Sequence, residues 1–181
     1  METLSRLNVV ESFYHKLGFS YCSYSLPVKH KIPRCYVNEN TSHIGRDKFA
    51  MDIIVPVGTI VYAPAGGKIV LLEQFYSEAS HRPEDGDKVN QIRVSTGNNE
   101  TYELKHIGFN RCKFKIGDYI PEGVELTAVD LNGYYIQDGD QEFPPHLHFA
   151  VHKDRRIPLK VRFKEYDITY GKDGSVVFKN K

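Results

Sequence analysis

Two histidines separated by a single leucine, in the run Phe143-Pro-Pro-His-Leu-His-Phe-Ala-Val151, constrain this chain more than any other feature. On a β-strand successive side chains alternate between faces, so His146 and His148 share one face while Leu147 and Phe149 point the other way and anchor the strand in a core. Imidazole is both a metal ligand and an acid or base near neutral pH, and two of them converging on one face are costly to keep unless something uses them. Upstream, His43 and Asp52 supply a histidine and a carboxylate that complete a three-ligand set. Such a set leaves the fourth position of a tetrahedral zinc open for water.

The 181 residues, 40% of them hydrophobic, fall in the single-domain range and suffice for one substantial core. Twelve Tyr and ten Phe against two Met and no Trp, with 14 Gly and 9 Pro, favour short strands and tight turns over long helices. The expected class is mainly β. A formal net charge of +1, with Lys and Arg scattered, lacks the basic stripe of a nucleic-acid binder. No apolar run reaches the length of a membrane span, and Met1 to Val10 has no basic stretch leading into an apolar one, so no export signal is visible. Cys22 and Cys35 close a short loop if the compartment is oxidising, or stay as buried thiols; the absence of a Cys-x-x-Cys pair disfavours a cysteine zinc site.

Along the chain, Leu4, Leu7, Val10, Phe13 or Tyr14 and Leu17 fall near helical spacing before Gly18, which predicts a short N-terminal helix over residues 3–17. Short strands and loops follow to Asn40, where Pro27 and Pro33 exclude a long helix. Ile53 to Val57, Thr59 to Ala63 and Lys68 to Leu72 read as a meander broken at Gly58 and at Pro64-Ala-Gly-Gly67. Residues 75–90 read as a polar surface loop, and Gln91 to Ser95 with Thr101 to Ile107 as a hairpin turning at Thr96-Gly-Asn-Asn99. A strand is expected at Val124 to Val129, then a polar segment to Glu142, the histidine strand, and a terminal hairpin of Tyr166 to Tyr170 with Ser175 to Phe178. By parity His106 faces inward with Tyr102 and Leu104, opposite Glu103 and Lys105. His15, His30 and His81 carry no such pattern, and His152 is displaced toward the Lys153-Asp-Arg-Arg156 turn and reads as a surface residue.

These motifs together resemble the lysostaphin/LytM-type zinc metallopeptidases, the peptidoglycan endopeptidases, from about Tyr21 to Phe163. The likeness runs through Ser42-His43, Ala50-Met51-Asp52, Pro56-Val-Gly58-Thr59-Ile-Val61-Tyr-Ala63 and Gly67-Lys-Ile-Val70. It continues in His106-Ile107, Gly117-Asp118-Tyr-Ile120-Pro-Glu-Gly123, Pro145-His146-Leu147-His148-Phe149 and Pro158 to Phe163. The resemblance implies a twisted antiparallel β-sheet core with a short N-terminal helix and a C-terminal hairpin, divided into a lead-in over 1–41, a peptidase domain over 42–163 and an extension over 164–181. It implies that His43, Asp52 and His148 hold one Zn²⁺ while His106 and His146 act on water and the transition state, and that peptidoglycan peptide is the substrate, in the cell envelope or outside the cell. The chain departs from the family at Leu104, where Tyr is usual, and at Leu131-Asn-Gly-Tyr-Tyr135 with the acidic Asp138 to Glu142, in place of a Gly-rich turn. Two other classes fit some of the same residues: an inactive relative that binds wall peptide or a protein partner through the same groove, and a structural metal closed by a fourth ligand such as His152.

Overall fold

The computed structural model describes residues 14–29, 34–37, 43–80, 82, 85–134, 137–138, 141–171 and 175–181. Strands dominate: β1 (Phe19–Tyr24), β2 (Cys35–Tyr36), β3 (Met51–Ile54), β4 (Ile60–Tyr62), β5 (Gly67–Glu73), β6 (Ala79–Ser80), β7 (Gln91–Ser95), β8 (Glu100–Lys105) and β9 (Tyr119–Ile120). They continue as β10 (Glu125–Ala128), β11 (Gly133–Tyr134), β12 (Gln137–Asp138), β13 (Gln141–Glu142), β14 (His146–Lys153), β15 (Ile157–Phe163), β16 (Tyr166–Tyr170) and β17 (Val176–Asn180). Among the described residues, helix occurs as a 3-10 turn at Gly45–Asp47, as 3-10 geometry at Asp85 and at residues 14–16, the described end of the predicted N-terminal helix. The rest of that helix, His30, Ser42 and His81 lie outside the described residues.

The main sheet runs β1-β15-β14-β8-β7-β5-β9, with β3 and β2 added beside β14. The histidine strand β14 is its centre: β8 pairs along it on one side, while on the other β3 pairs with His146–Phe149 and β15 with Val151–Lys153. Register then sorts the sheet into two faces, because directly paired residues point the same way. One face carries Ile53, Leu147, Phe149, Val151, Leu104, Tyr102, Ile92 and Val94, all fully buried, and forms the core. The other is polar. A single cross-strand row on it reads Tyr36, Asp52, His148, Lys105, Gln91 and Glu73 from β2 through to β5.

The hairpins predicted at 91–107 and at the C-terminus are present as β7–β8 and β16–β17. The meander is not. β3, β4 and β5 are consecutive, but β4 leaves the main sheet to pair with β10, while β5 pairs with β7 and β9. The turn after Pro56 causes the crossing: Gly58, at φ 85°, donates its N–H to Val129 O at 2.8 Å, and Val129 returns one to Thr59 O at 2.8 Å. Gly67 is required for a different reason, since a Cβ there would meet Ser95 O at 2.3 Å where β5 lies against β7. All three cysteines are free thiols, with Cys35 and Cys112 buried.

At the other edge β1 pairs in parallel with β15 but shifts register between Phe19 and Ser23. Two amides released there are captured by Glu100, a fully buried carboxylate at the start of β8, which accepts from Tyr21 N at 2.5 Å and Cys22 N at 3.1 Å. It also takes the Tyr24 hydroxyl at 3.0 Å and the His15 ring Nε2 at 2.8 Å. Removing such an acceptor strands buried donors at about 1–3 kcal/mol each. The Glu100→Ala variant is therefore expected to lose about 3 kcal/mol in urea denaturation; a loss below about 1 kcal/mol would show that water replaces the carboxylate there.

Candidate metal centre

The centre forms where β3 and β14 lie side by side. His148 is register partner to Asp52, and the loop before β3 folds His43 over the same face. His43 Nε2 lies 3.2 Å and His148 Nδ1 3.1 Å from Asp52 Oδ1, and one donor atom from each of the three falls within 4.8 Å of the others. All three are buried, at 2%, 4% and 6% exposure for His43, Asp52 and His148. Burial works to raise the Asp52 carboxyl, but the hydrogen-bonding His148 and His43 rings outweigh it and hold it well below the usual carboxylate range. Two imidazoles and one ionised carboxylate, sequestered from solvent and converging on one point, fit the donor preference of zinc. The set can hold a metal ion.

His106 and His146 stand beside this set, their rings 4.5 Å apart and tilted edge to face. His146 Nε2 lies 3.7 Å from Asp52 Oδ1. Strand parity places His106 on the core side, and the structure corrects this: at the end of β8 its backbone turns left-handed, φ 61°, and brings the imidazole to His146 on the polar face. Its Nδ1–H donates to Asn132 O at 2.9 Å, and the His146 Nδ1–H donates to Pro144 O at 3.1 Å. A carbonyl can only accept, so each ring, in its neutral form, presents Nε2 as a lone pair. Burial first, then the neighbouring His146 and His148, pull the His106 pKa down to about 3, so it is neutral at rest.

Asn132 is a residue that sequence reasoning missed. Besides holding His106, its side chain accepts from Asn90 N at 2.8 Å and donates to Ile107 O at 2.8 Å. The only sequence signal for it is an Asn-Gly pair in the segment that departs from the family. His152, read as a surface residue, is instead fully buried, with Nε2 donating to Arg46 O at 3.0 Å under the Gly45–Asp47 turn. It does not join the His43–Asp52–His148 donors, so a closed four-ligand site lacks its proposed fourth member. A second donor group, Asp47, Glu103 and His148, lies behind the first. Its carboxylates are already matched by cations, since Lys105 Nζ sits 2.9 Å from Asp47 Oδ2 and 3.0 Å from Glu103 Oε1, and Arg46 and Arg93 both bond Glu103.

This architecture is that of the M23, or lysostaphin/LytM-type, metallopeptidase fold. An M23 metalloprotease from the deep sea, pseudoalterin, superposes with a TM-score of 0.62 at 17% identity, over 89% of this chain and 92% of that one. Csd3 of Helicobacter pylori matches with a TM-score of 0.51 at 17% identity, over 80% of this chain, which spans 35% of the Csd3 chain. The catalytic domain of the antimicrobial peptidase lysostaphin from Staphylococcus simulans gives 0.45 at 23% identity, over 74% and 78% of the two chains. No protein-family model matches the sequence, and no curated protein matches it.

Proposed function

We propose that this protein is a zinc-dependent endopeptidase that hydrolyses peptide bonds in the stem peptides or cross-bridges of bacterial peptidoglycan, acting in the cell envelope or outside the cell. The observation that carries the reading is the gathering of five side chains, from positions 43 to 148, on one polar face of the sheet: three buried donors and, beside them, two histidines with rings 4.5 Å apart, one of them 3.7 Å from the Asp52 carboxylate. In this reading residues 42–163 are the catalytic domain, 1–41 a lead-in and 164–181 a hairpin extension. His43, Asp52 and His148 hold the zinc. When bound, zinc supplies Lewis acidity, lowering the pKa of a water in its open position from about 16 toward about 7 and polarising the scissile carbonyl.

The chain's own groups do the rest. His146, with Nε2 3.7 Å from the Asp52 carboxylate, stands beside the three donors; in this reading it takes the water's proton and passes it to the leaving amine. His106, fixed by Asn132 with its Nε2 lone pair turned outward, is in this reading a second acceptor that orients the attacking water. An extended peptide suits a groove floored by a sheet, where main chain pairs with main chain. Small residues, glycine or alanine, fit best beside the metal.

The test is removal and return of the metal. Chelation abolishes cleavage of purified peptidoglycan, defined muropeptides or a glycine-rich peptide, and stoichiometric zinc restores it, with mass spectrometry of the products naming the bond. Absence of metal-dependent cleavage across that panel favours the alternative, a binding module that uses the same groove without turnover.

A further inference from the structure

We infer that Asp47 is a positioning residue for the metal ligand His148, an inference that rests on the zinc reading above. His148 turns Nδ1 toward Asp52, so lending that nitrogen's lone pair to a metal requires the ring's proton to sit on Nε2. That atom is buried and has no hydrogen-bond partner among the described residues. Asp47 Oδ1, in the same condition, lies 4.0 Å away. A metal-bound imidazole is a stronger N–H donor than a free one, and a histidine ligand ordinarily gives its second N–H to a carboxylate or carbonyl that fixes tautomer and ring angle. A closure of about 1 Å brings this pair to hydrogen-bond length.

The surroundings hold Asp47 in place for that task. Its other oxygen takes the Lys105 ammonium at 2.9 Å, and its carbonyl accepts Ala50 N at 2.8 Å, which fixes the turn over β14. A carboxylate paired in this way with an ammonium offers the His148 ring acceptor lone pairs only. Glu103, the other carboxylate within reach, is occupied by Arg46, Arg93 and Lys105. The Asp47–Glu103–His148 group is thus already neutralised by cations of the chain itself. It acts as support for the first set rather than as a second ion site.

The experiment measures zinc affinity by competition against a chromophoric chelator for the wild type, Asp47→Ala and Asp47→Asn, with circular dichroism as the folding control. Zinc stoichiometry and the His148 Nε2–H resonance in long-range ¹H–¹⁵N spectra are read on the same samples. The wild type binds one zinc and shows a slowly exchanging Nε2–H; Asp47→Ala weakens zinc by about 10–100-fold and loses that protection. Asp47→Asn, which keeps shape and an acceptor but not charge, falls between, and serves if the alanine variant does not fold. Equal zinc affinity and an unchanged His148 resonance in the variants overturn the positioning role while leaving the metal site standing. Two zinc ions in the wild type and one in Asp47→Ala overturn it in favour of a second ion. A wild type that takes up no zinc removes the underlying reading itself.

Discussion

His146→Ala protein is expected to bind one zinc per chain as the wild type does, yet to cleave peptide about 10²–10⁴ times more slowly in kcat. The separation of the two effects follows from where the ring sits. His146 lies 3.7 Å from Asp52 Oδ1 but outside the His43–Asp52–His148 donor group, so its removal leaves those three donors in place. What is lost is the Nε2 lone pair that the Pro144 carbonyl orients by holding the Nδ1–H. His106→Ala should behave alike, since its ring meets the same space 4.5 Å from His146. The double variant should cost little more than either single one, because two groups serving one transition state are not additive. Single-turnover assays with zinc content measured on the same sample decide the matter. Retained turnover in both single variants would remove these histidines from the chemistry, and a wild type that binds peptide without turnover, with affinity unchanged in both variants, would favour the binding-module alternative.

What the sequence made legible was local or periodic. The alternation of His146, Leu147, His148 and Phe149 set the two faces of β14, and the Gly-Asn-Asn turn set the β7–β8 hairpin. The region that fails is governed by long-range pairing. Nothing in Ile60-Val-Tyr62 says that its partner is β10, more than sixty residues on, rather than its neighbours β3 and β5. His106 was misplaced because parity holds only while the backbone stays extended, and one left-handed residue reverses the side chain. His152 and Asp47 escaped for a related reason: the Gly45–Asp47 turn folds over β14, so a half-buried carboxylate in a short loop and a buried histidine at a strand end are brought within 3.8 Å of each other. The five residues of the proposed site were readable because their motif order is recognisable. The groups that support them are held by backbone atoms and loop packing, which leave no fixed spacing in sequence.

Asp52→Ala should abolish the thermal stabilisation that zinc gives the wild type. Asp52 is the one charged member of its donor group, and Oδ1 is the atom that both ring nitrogens face, at 3.2 Å and 3.1 Å. Without it two neutral imidazoles remain, and the ion must be completed by water. A ligand that binds only the folded state stabilises it by RT ln(1 + [L]/Kd), about 4 kcal/mol at a thousandfold excess over Kd. For a chain of this size that corresponds to a rise in Tm of roughly 8–16 °C, given about 2–4 °C per kcal/mol. The wild type should show this shift between chelator and saturating zinc, and Asp52→Ala almost none of it. The metal-free proteins should differ far less. Removing Asp52 deprives two buried rings of an acceptor, a loss of about 1–3 kcal/mol, but it also removes a buried negative charge that needs compensation when no cation is present. The two effects oppose each other in the apo protein, whereas only loss remains in the zinc form. A zinc-dependent Tm shift in Asp52→Ala equal to that of the wild type would mean that the ion is held elsewhere, and the three-donor centre would no longer explain metal binding.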